Sequence, residues 1–225
     1  MKPIAQIHTD FPTKFGIPRQ SGVVPDTVGR VVFHPPYRNP DALRGIEDFS
    51  HLWLIWEFSA ARQAGWSPMV RPPRLGGNRR MGVFATRSPF RPNPIGLSCV
   101  RLLSVEWHTP QGAVLCVGGA DLMDGTPIFD IKPYLPYADA YPEARGGFAG
   151  ALTGDRLTVE FPPALLALLP PALRGSAVAL LRGDPRPSYQ DDPARVYGMP
   201  YGGFDIRFRV SGNVLTVIAV EPYQT

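Results

Sequence analysis

A chain of 225 residues with 44% hydrophobic and 19% charged residues can bury a real core, which excludes a disordered protein. Its net charge of +4 is local: Arg71 to Arg91 carries six arginines and no acidic residue, a formal +6 that leaves −2 for the other residues. The longest apolar run, Leu52 to Phe58, is interrupted by Glu57 and too short to span a bilayer, and MKPIAQIHTDF has no apolar leader segment, so no membrane association and a cytoplasmic location are expected.

With 27 prolines and 23 glycines, the chain favours short strands and structured loops. Ile4 to His8 reads as a first strand, Phe15 to Gly22 as a loop presenting Arg19 and Gln20, and Gly29 to Phe33 as a second strand. Asn39-Pro40-Asp41 has the form of a helix start, and the helix ends near Gly45. Strands are predicted at His51 to Phe58, Met81 to Thr86, Ile95 to Trp107 and Ala113 to Val117. Such short strands separated by turns suggest a mainly β protein, a barrel or sandwich. Composition shifts at Tyr141 to Gly150, which reads as a linker, with a domain boundary near residue 150. Beyond it come a strand at Arg156 to Phe161 and a helix over Pro162 to Leu181 with a break near Pro170-Pro171. A hairpin closes the chain: Phe204 to Val210, a turn at Ser211-Gly212-Asn213, and Val214 to Val220. This C-terminal part has seven basic and seven acidic residues, so it carries no basic patch.

The usual phosphate and hydride motifs are missing: no GxGxxG opens a helix after a strand, and GxxxxGK[ST], HExxH and GxSxG are absent. His8, His34, His51 and His108 are scattered, so no metal is expected. Cys99 and Cys116 lie in apolar runs without ligand spacing and are expected as buried free thiols.

Three segments can carry chemistry. In the first, Pro73 to Leu97, Gly76-Gly77 and Gly82 permit close backbone approach. Arg74, Arg79, Arg80, Arg87 and Arg91 offer planar forks for phosphate or carboxylate. Asn93, fixed between two prolines, presents a donor and an acceptor at low entropic cost. Crowded arginines repel one another and call for an anionic partner. In the second, Asp121, Asp124 and Asp130 can accept hydroxyls or a cationic centre, or act as bases, with Lys132 and Tyr134 next in line. For Asp124, capping of the turn at Gly125-Thr126-Pro127 is the favoured role. In the third, Asp184-Pro-Arg-Pro-Ser-Tyr is a stiff loop on which exposed Arg186 and Tyr189 could stack on an unpaired base, or which simply links helix and hairpin.

Taken together, Pro18-Arg19-Gln20, RGIEDFSHLW (44–53), RPPRLGGN (71–78), MGVFATRSPFRPNPIG (81–96), DLMDGTP (121–127), DIKPYLPYAD (130–139) and DPRPSY (184–189) resemble the TrmO/TsaA-like family. The resemblance covers nearly the whole chain, in family order. It implies an N-terminal β-barrel over residues 1–145 that binds S-adenosylmethionine without a Rossmann fold, a small α+β domain over 151–225, and a homodimer. The activity implied is methylation of N6 of threonylcarbamoyladenosine, just 3′ of the anticodon in threonine tRNA. Gln20, Ser21, Gly22, Val23, Ser59, Ala60, Arg87, Leu97 and Asp121 match the family's cofactor-contacting positions, although Ser59-Ala60 departs from a bulkier polar pair. Arg87 is expected to hold the methionine carboxylate, and Asp121 the ribose or the amino end. Asp130 or Tyr134 is the candidate base. Arg74, Arg79, Arg91, Asn93, Lys132 and Arg186 are the candidate tRNA contacts, with Arg74 to Arg80 turned to RNA and Arg87 to Leu97 to the cofactor. The alternatives are a barrel that binds tRNA or another anion without catalysis, and a methyltransferase of this fold with another substrate.

Overall fold

Alternation of inward and outward side chains, not long apolar runs, builds the first half of the molecule. This computed structural model describes residues 1–72, 75, 79–152, 157–186 and 192–224, with only the backbone of 62–64 and 150–152. Six strands close into a barrel: β1 (Ala5–Thr9), β2 (Val28–Phe33), β3 (His51–Glu57), β6 (Ile95–Thr109), β7 (Gly112–Gly118) and β8 (Thr126–Pro133), in the spatial order β1-β2-β7-β6-β3-β8. All the pairings are antiparallel. The mainly β expectation therefore holds, as a closed barrel with no sheet edge left open.

Residues two apart along each strand face the same way. Ala5 and Ile7, Val31 and Phe33, Leu52, Leu54 and Trp56, Val100, Leu115, Val117 and Ile128 all turn into one buried cluster. Each fully buried aliphatic or aromatic side chain contributes about 1.5–3 kcal/mol. Strand β6 is long enough to pair with β3 at one end and β7 at the other, and it breaks register between Leu102 and Ser104 and again between Glu106 and Thr109. Such irregularities bend a strand around a barrel.

Two expectations change here. The strand predicted over Met81 to Thr86 is only β5 (Met81–Gly82), paired with β4 (Met69–Val70); a 3₁₀ turn follows at Val83–Ala85. The turn wins because the Thr86 amide and hydroxyl both donate to the Val83 carbonyl, at 3.1 and 2.9 Å. The second change is an addition: no strand is predicted at Thr126–Pro133, yet β8 joins β1 to β3 and closes the barrel. Asn39 behaves as read, its side chain accepting from the Asp41 amide at 3.0 Å, although the helix it starts is a single 3₁₀ turn, Pro40–Leu43.

The chain divides into two compact units, Met1–Asp10 with Arg19–Tyr134, and Phe11–Pro18 with Leu135–Thr225. The second contains α1 (Pro136–Asp139) and a four-stranded sheet of β9 (Thr158–Glu160), β10 (Tyr197–Tyr201), β11 (Phe204–Ser211) and β12 (Val214–Pro222), ordered β10-β11-β12-β9. The single helix expected over 162–181 is two, α2 (Pro163–Leu166) and α3 (Pro171–Arg182). Pro170 and Pro171 cannot donate to a continuing helix, and Pro171 instead opens the second one. Phe11 packs in this unit, its ring 5.3 Å from that of Tyr201, whose hydroxyl is 2.7 Å from Ser176 Oγ.

Candidate active site

The barrel wall is uneven at one end. Strand β7 meets β6 only from Arg101 onward, so the Ile95–Val100 half of β6 pairs with β3 alone. The loop after Arg19 runs along this end: Ser21 Oγ accepts from the Cys99 amide at 3.1 Å, and the Gly22 amide donates to the Gly119 carbonyl at 2.8 Å. Gly119 has φ +75°, and a Cβ there would sit 3.1 Å from Gly22 N and Cα. Only glycine lets the two backbones approach in this way.

Asp121 lies beside this loop. Ser98, fully buried on the inward face of β6, is 2.5 Å from Asp121 Oδ1 through its Oγ, and Trp56 Nε1 donates to the same Oγ at 2.9 Å. Burial pushes the Asp121 carboxyl up from the ordinary range; donation from Ser98, the Ser21 and Asp121 backbone amides, and the positive charge of Arg87 pull it back. Arg87 also donates to Gln20 Oε1. Gln20, Ser21, Gly22, Arg87 and Asp121, far apart in sequence, thus form one connected group. A partly buried carboxylate and an arginine at one end of the barrel can hold opposite charges of a zwitterion, and the glycine backbone can lie flat against a ring.

The other expected site residues are more dispersed. Leu97 precedes Ser98 but faces outward, 54% exposed. Val23 is also exposed, and Ser59 and Ala60 begin the 3₁₀ turn Ser59–Ala64 that follows β3. Asp130 and Lys132 lie on β8 opposite Ile55 and Trp53, and Asp130 aligns with Leu97 through Ile55 across the outward face. Lys132 Nζ is 3.1 Å from Asp130 Oδ2, and the Tyr134 ring lies 5.8 Å from that of Trp53. Within one chain, then, Asp130 and Tyr134 are not gathered with Asp121.

Arg79 and Arg80 are exposed, as is Asn93. Arg91 Nη1 donates to the Val83 and Thr86 carbonyls at 3.1 and 2.7 Å, and its guanidinium covers the Phe84 ring, so it staples its own loop. The expected exposure of Arg186 is corrected: it is 9% exposed and forks onto Asp184 at 2.9 and 3.0 Å. A carboxylate two residues away neutralises it within the loop. Arg74, Gly76-Gly77 and Tyr189 fall outside the described residues. Asp124 accepts from the Thr9 amide at 3.0 Å and lies 3.2 Å from His8 Nδ1, joining the turn to β1. Cys99 and Cys116 are free thiols, the first only half-buried. Among the described residues no cluster of His, Cys, Asp or Glu could hold a metal ion, and no helix is long and apolar enough to cross a membrane.

Sequence reasoning missed Ser98 and Trp56. The available signal was a polar residue at an inward position of an alternating strand, between Gly96 and Val100.

Residues 6–140 match the tRNA-methyltransferase O N-terminal domain, and residues 155–223 match the TrmO C-terminal domain. The chain belongs to the tRNA-methyltransferase O family. It is 43% identical to the tRNA (adenine(37)-N6)-methyltransferase of Escherichia coli strain K12 over 97% of this chain and 96% of that one. A protein of the same description from Eikenella corrodens is 50% identical over 76% of this chain and 97% of its own length. A crystal structure of TrmO from Pseudomonas aeruginosa superposes with a TM-score of 0.76 at 33% identity, covering 97% of this chain and 96% of that one. The barrel of this family member is thus a methyltransferase fold outside the Rossmann class.

Proposed function

We propose that this chain methylates N6 of the threonylcarbamoylated adenosine next to the anticodon of threonine tRNA, using S-adenosylmethionine. The observation that carries the cofactor part is the group Gln20–Arg87–Asp121–Ser21, in which a desolvated carboxylate and a guanidinium lie close enough for their charges to interact. That donor set fits the cofactor: Arg87 for its carboxylate, Asp121 for a cationic or hydroxyl group, and the backbone at Gly22 for its base. When bound, S-adenosylmethionine supplies an electrophilic methyl group on a sulfonium.

The rest falls to the chain's own residues. N6 of a carbamoylated adenosine is a weak nucleophile because its lone pair is delocalised, and its proton has to leave as the new bond forms. Asp130 or Tyr134 takes that proton in this reading. Both face outward, so the reading also includes a homodimer in which the outward face of a second copy completes the site. Asp130→Asn and Tyr134→Phe retaining full turnover at saturating tRNA would remove the base. Alignment of methyl and nitrogen alone can supply much of the rate. Exposed Arg79, with Lys132 and Asn93, receives phosphates or the carboxylate of the modification. In this reading the enzyme acts on tRNA in the cytoplasm.

Mass spectrometry of threonine tRNA from a deletion strain tests the whole reading. The methylated modification should disappear and return with a plasmid copy; an unchanged level sinks the substrate assignment.

A further inference from the structure

Asp121 does not stand alone in the barrel end. Behind it runs a directed chain of hydrogen bonds from Trp56 Nε1–H to Ser98 Oγ at 2.9 Å, and from Ser98 Oγ to Asp121 Oδ1 at 2.5 Å. Direction follows from chemistry. An indole N–H can only donate, so Ser98 Oγ accepts from it and is left to give its own proton to Asp121. The hydroxyl cannot turn round without breaking a bond in a place with no water: Ser98 is 0% exposed and Trp56 7%. Linked donors polarise one another, which strengthens the short bond to the carboxylate.

The chain is also built into the strands. Trp56 and Gly96 are directly opposed in the β3–β6 register, and a Cβ on Gly96 would come within 2.2 Å of the Trp56 ring. The indole therefore lies flat over the backbone of residue 96, which brings its N–H to Ser98, two residues further along β6. Phe58 closes the other side, its ring centroid 4.3 Å from that of Trp56.

We propose that Ser98, held by Trp56, is a positioning residue that fixes Asp121 as an acceptor-only carboxylate for the ammonium group of the cofactor's amino-acid end. The inference rests on Asp121 belonging to the cofactor site. Ser98 donates to Oδ1, and a carboxylate with about four acceptor positions still has room for a ligand beside that hydroxyl and the two backbone amides. Arg87 is the charged side chain that bears on Asp121, and the other groups acting on it are the Ser98 hydroxyl and the amides of Ser21 and Asp121. One fixed anion and one cation complement a zwitterion with its carboxylate on Arg87 and its ammonium on Asp121. The relay favours the ionised form against the effect of burial, because without the Ser98 proton the desolvated carboxyl would take up a proton more readily.

Calorimetric titration of the full-length chain with S-adenosylhomocysteine and with methylthioadenosine, which lacks the amino-acid end, from about pH 4 to 8.5 separates the outcomes. Ser98→Ala should weaken S-adenosylhomocysteine about tenfold at neutral pH and move the acid limb of binding up by about one pH unit, while methylthioadenosine changes little. Trp56→Phe keeps a ring but frees the hydroxyl, and should give a smaller pH displacement in the same direction at about threefold weaker binding. It also serves if Ser98→Ala fails to fold. A Ser98→Ala protein that melts lower but binds with the wild-type pH profile reduces Ser98 to packing and overturns the proposal. An equal loss for both ligands overturns the ammonium assignment. Asp121→Asn separates the underlying reading: if it binds S-adenosylhomocysteine like the wild type, Asp121 is not in the cofactor site at all, whereas loss in Asp121→Asn with no change in Ser98→Ala removes the relay alone.

Discussion

Asp121 and Asp130 are nine residues apart and were equal candidates by composition, yet the barrel gives them opposite environments. Asp121 is partly buried, enough for desolvation to be the largest influence on its carboxyl, with a buried serine as its donor and an arginine within electrostatic reach. Asp130 stands half-exposed on the outward face, with Lys132 3.1 Å away and its own neighbour's amide, Ile131 N, on Oδ1. A desolvated carboxylate holds its ligands in a low-dielectric setting where each interaction is strong, while a solvated ion pair of the second kind is worth about 0–1 kcal/mol. The comparison teaches that sequence proximity to a motif does not assign a role; the face of the strand does.

The largest expected effect is on the buried member. Asp121→Asn should weaken S-adenosylmethionine about a hundredfold, measured by calorimetry, because a charged acceptor is replaced by a neutral amide in a partly desolvated site. The same substitution should raise thermal stability at neutral pH. The sign follows from the raised carboxyl: the folded form resists ionisation more than the unfolded one, so ionisation of Asp121 costs stability above the ordinary value of 3.8, and the gain in Asp121→Asn should fade as the pH falls towards that value. Melting curves across pH check it, and a loss of stability at neutral pH would mean that Ser98 and the amides outweigh the burial.

Next in size is the backbone support. Gly96→Ala should cost about 2–3 kcal/mol in denaturant unfolding, since the added methyl meets the Trp56 ring and not open space. Arg87→Ala should weaken the cofactor about tenfold and leave the KM for tRNA nearly unchanged, with Arg79→Ala doing the reverse. If both variants lose the same ligand to the same degree, the division of the basic segment into an RNA half and a cofactor half is wrong. The smallest effect belongs to the exposed acid: Asp130→Asn should shift the melting temperature by less than about 2 °C, whatever it does to turnover.

Much of the barrel could be read from the chain. The alternation at Leu52, Leu54 and Trp56, and at Gly96, Ser98 and Val100, follows from a two-residue period that any sheet with one buried face imposes. Strand β8 escaped because Pro127, Asp130, Lys132 and Pro133 break the apolar pattern; it is a strand because β1 and β3 supply partners on both sides. Likewise Thr86 turned a predicted strand into a turn through two local hydrogen bonds that propensity does not register.

The sequence by itself determined the strand periodicity, the acid-free arginine segment and the motif order that marks the family, because these depend on residue type and spacing along one dimension. Only the tertiary structure decided which polar residues meet. Ser98 and Trp56 come from two strands, Asp121 from the chain beyond a third, and Arg87 and Gln20 from loops 67 residues apart. Barrel closure brings them to one end and partly desolvates the carboxylate, and desolvation is a property of the surroundings in space that no linear pattern encodes.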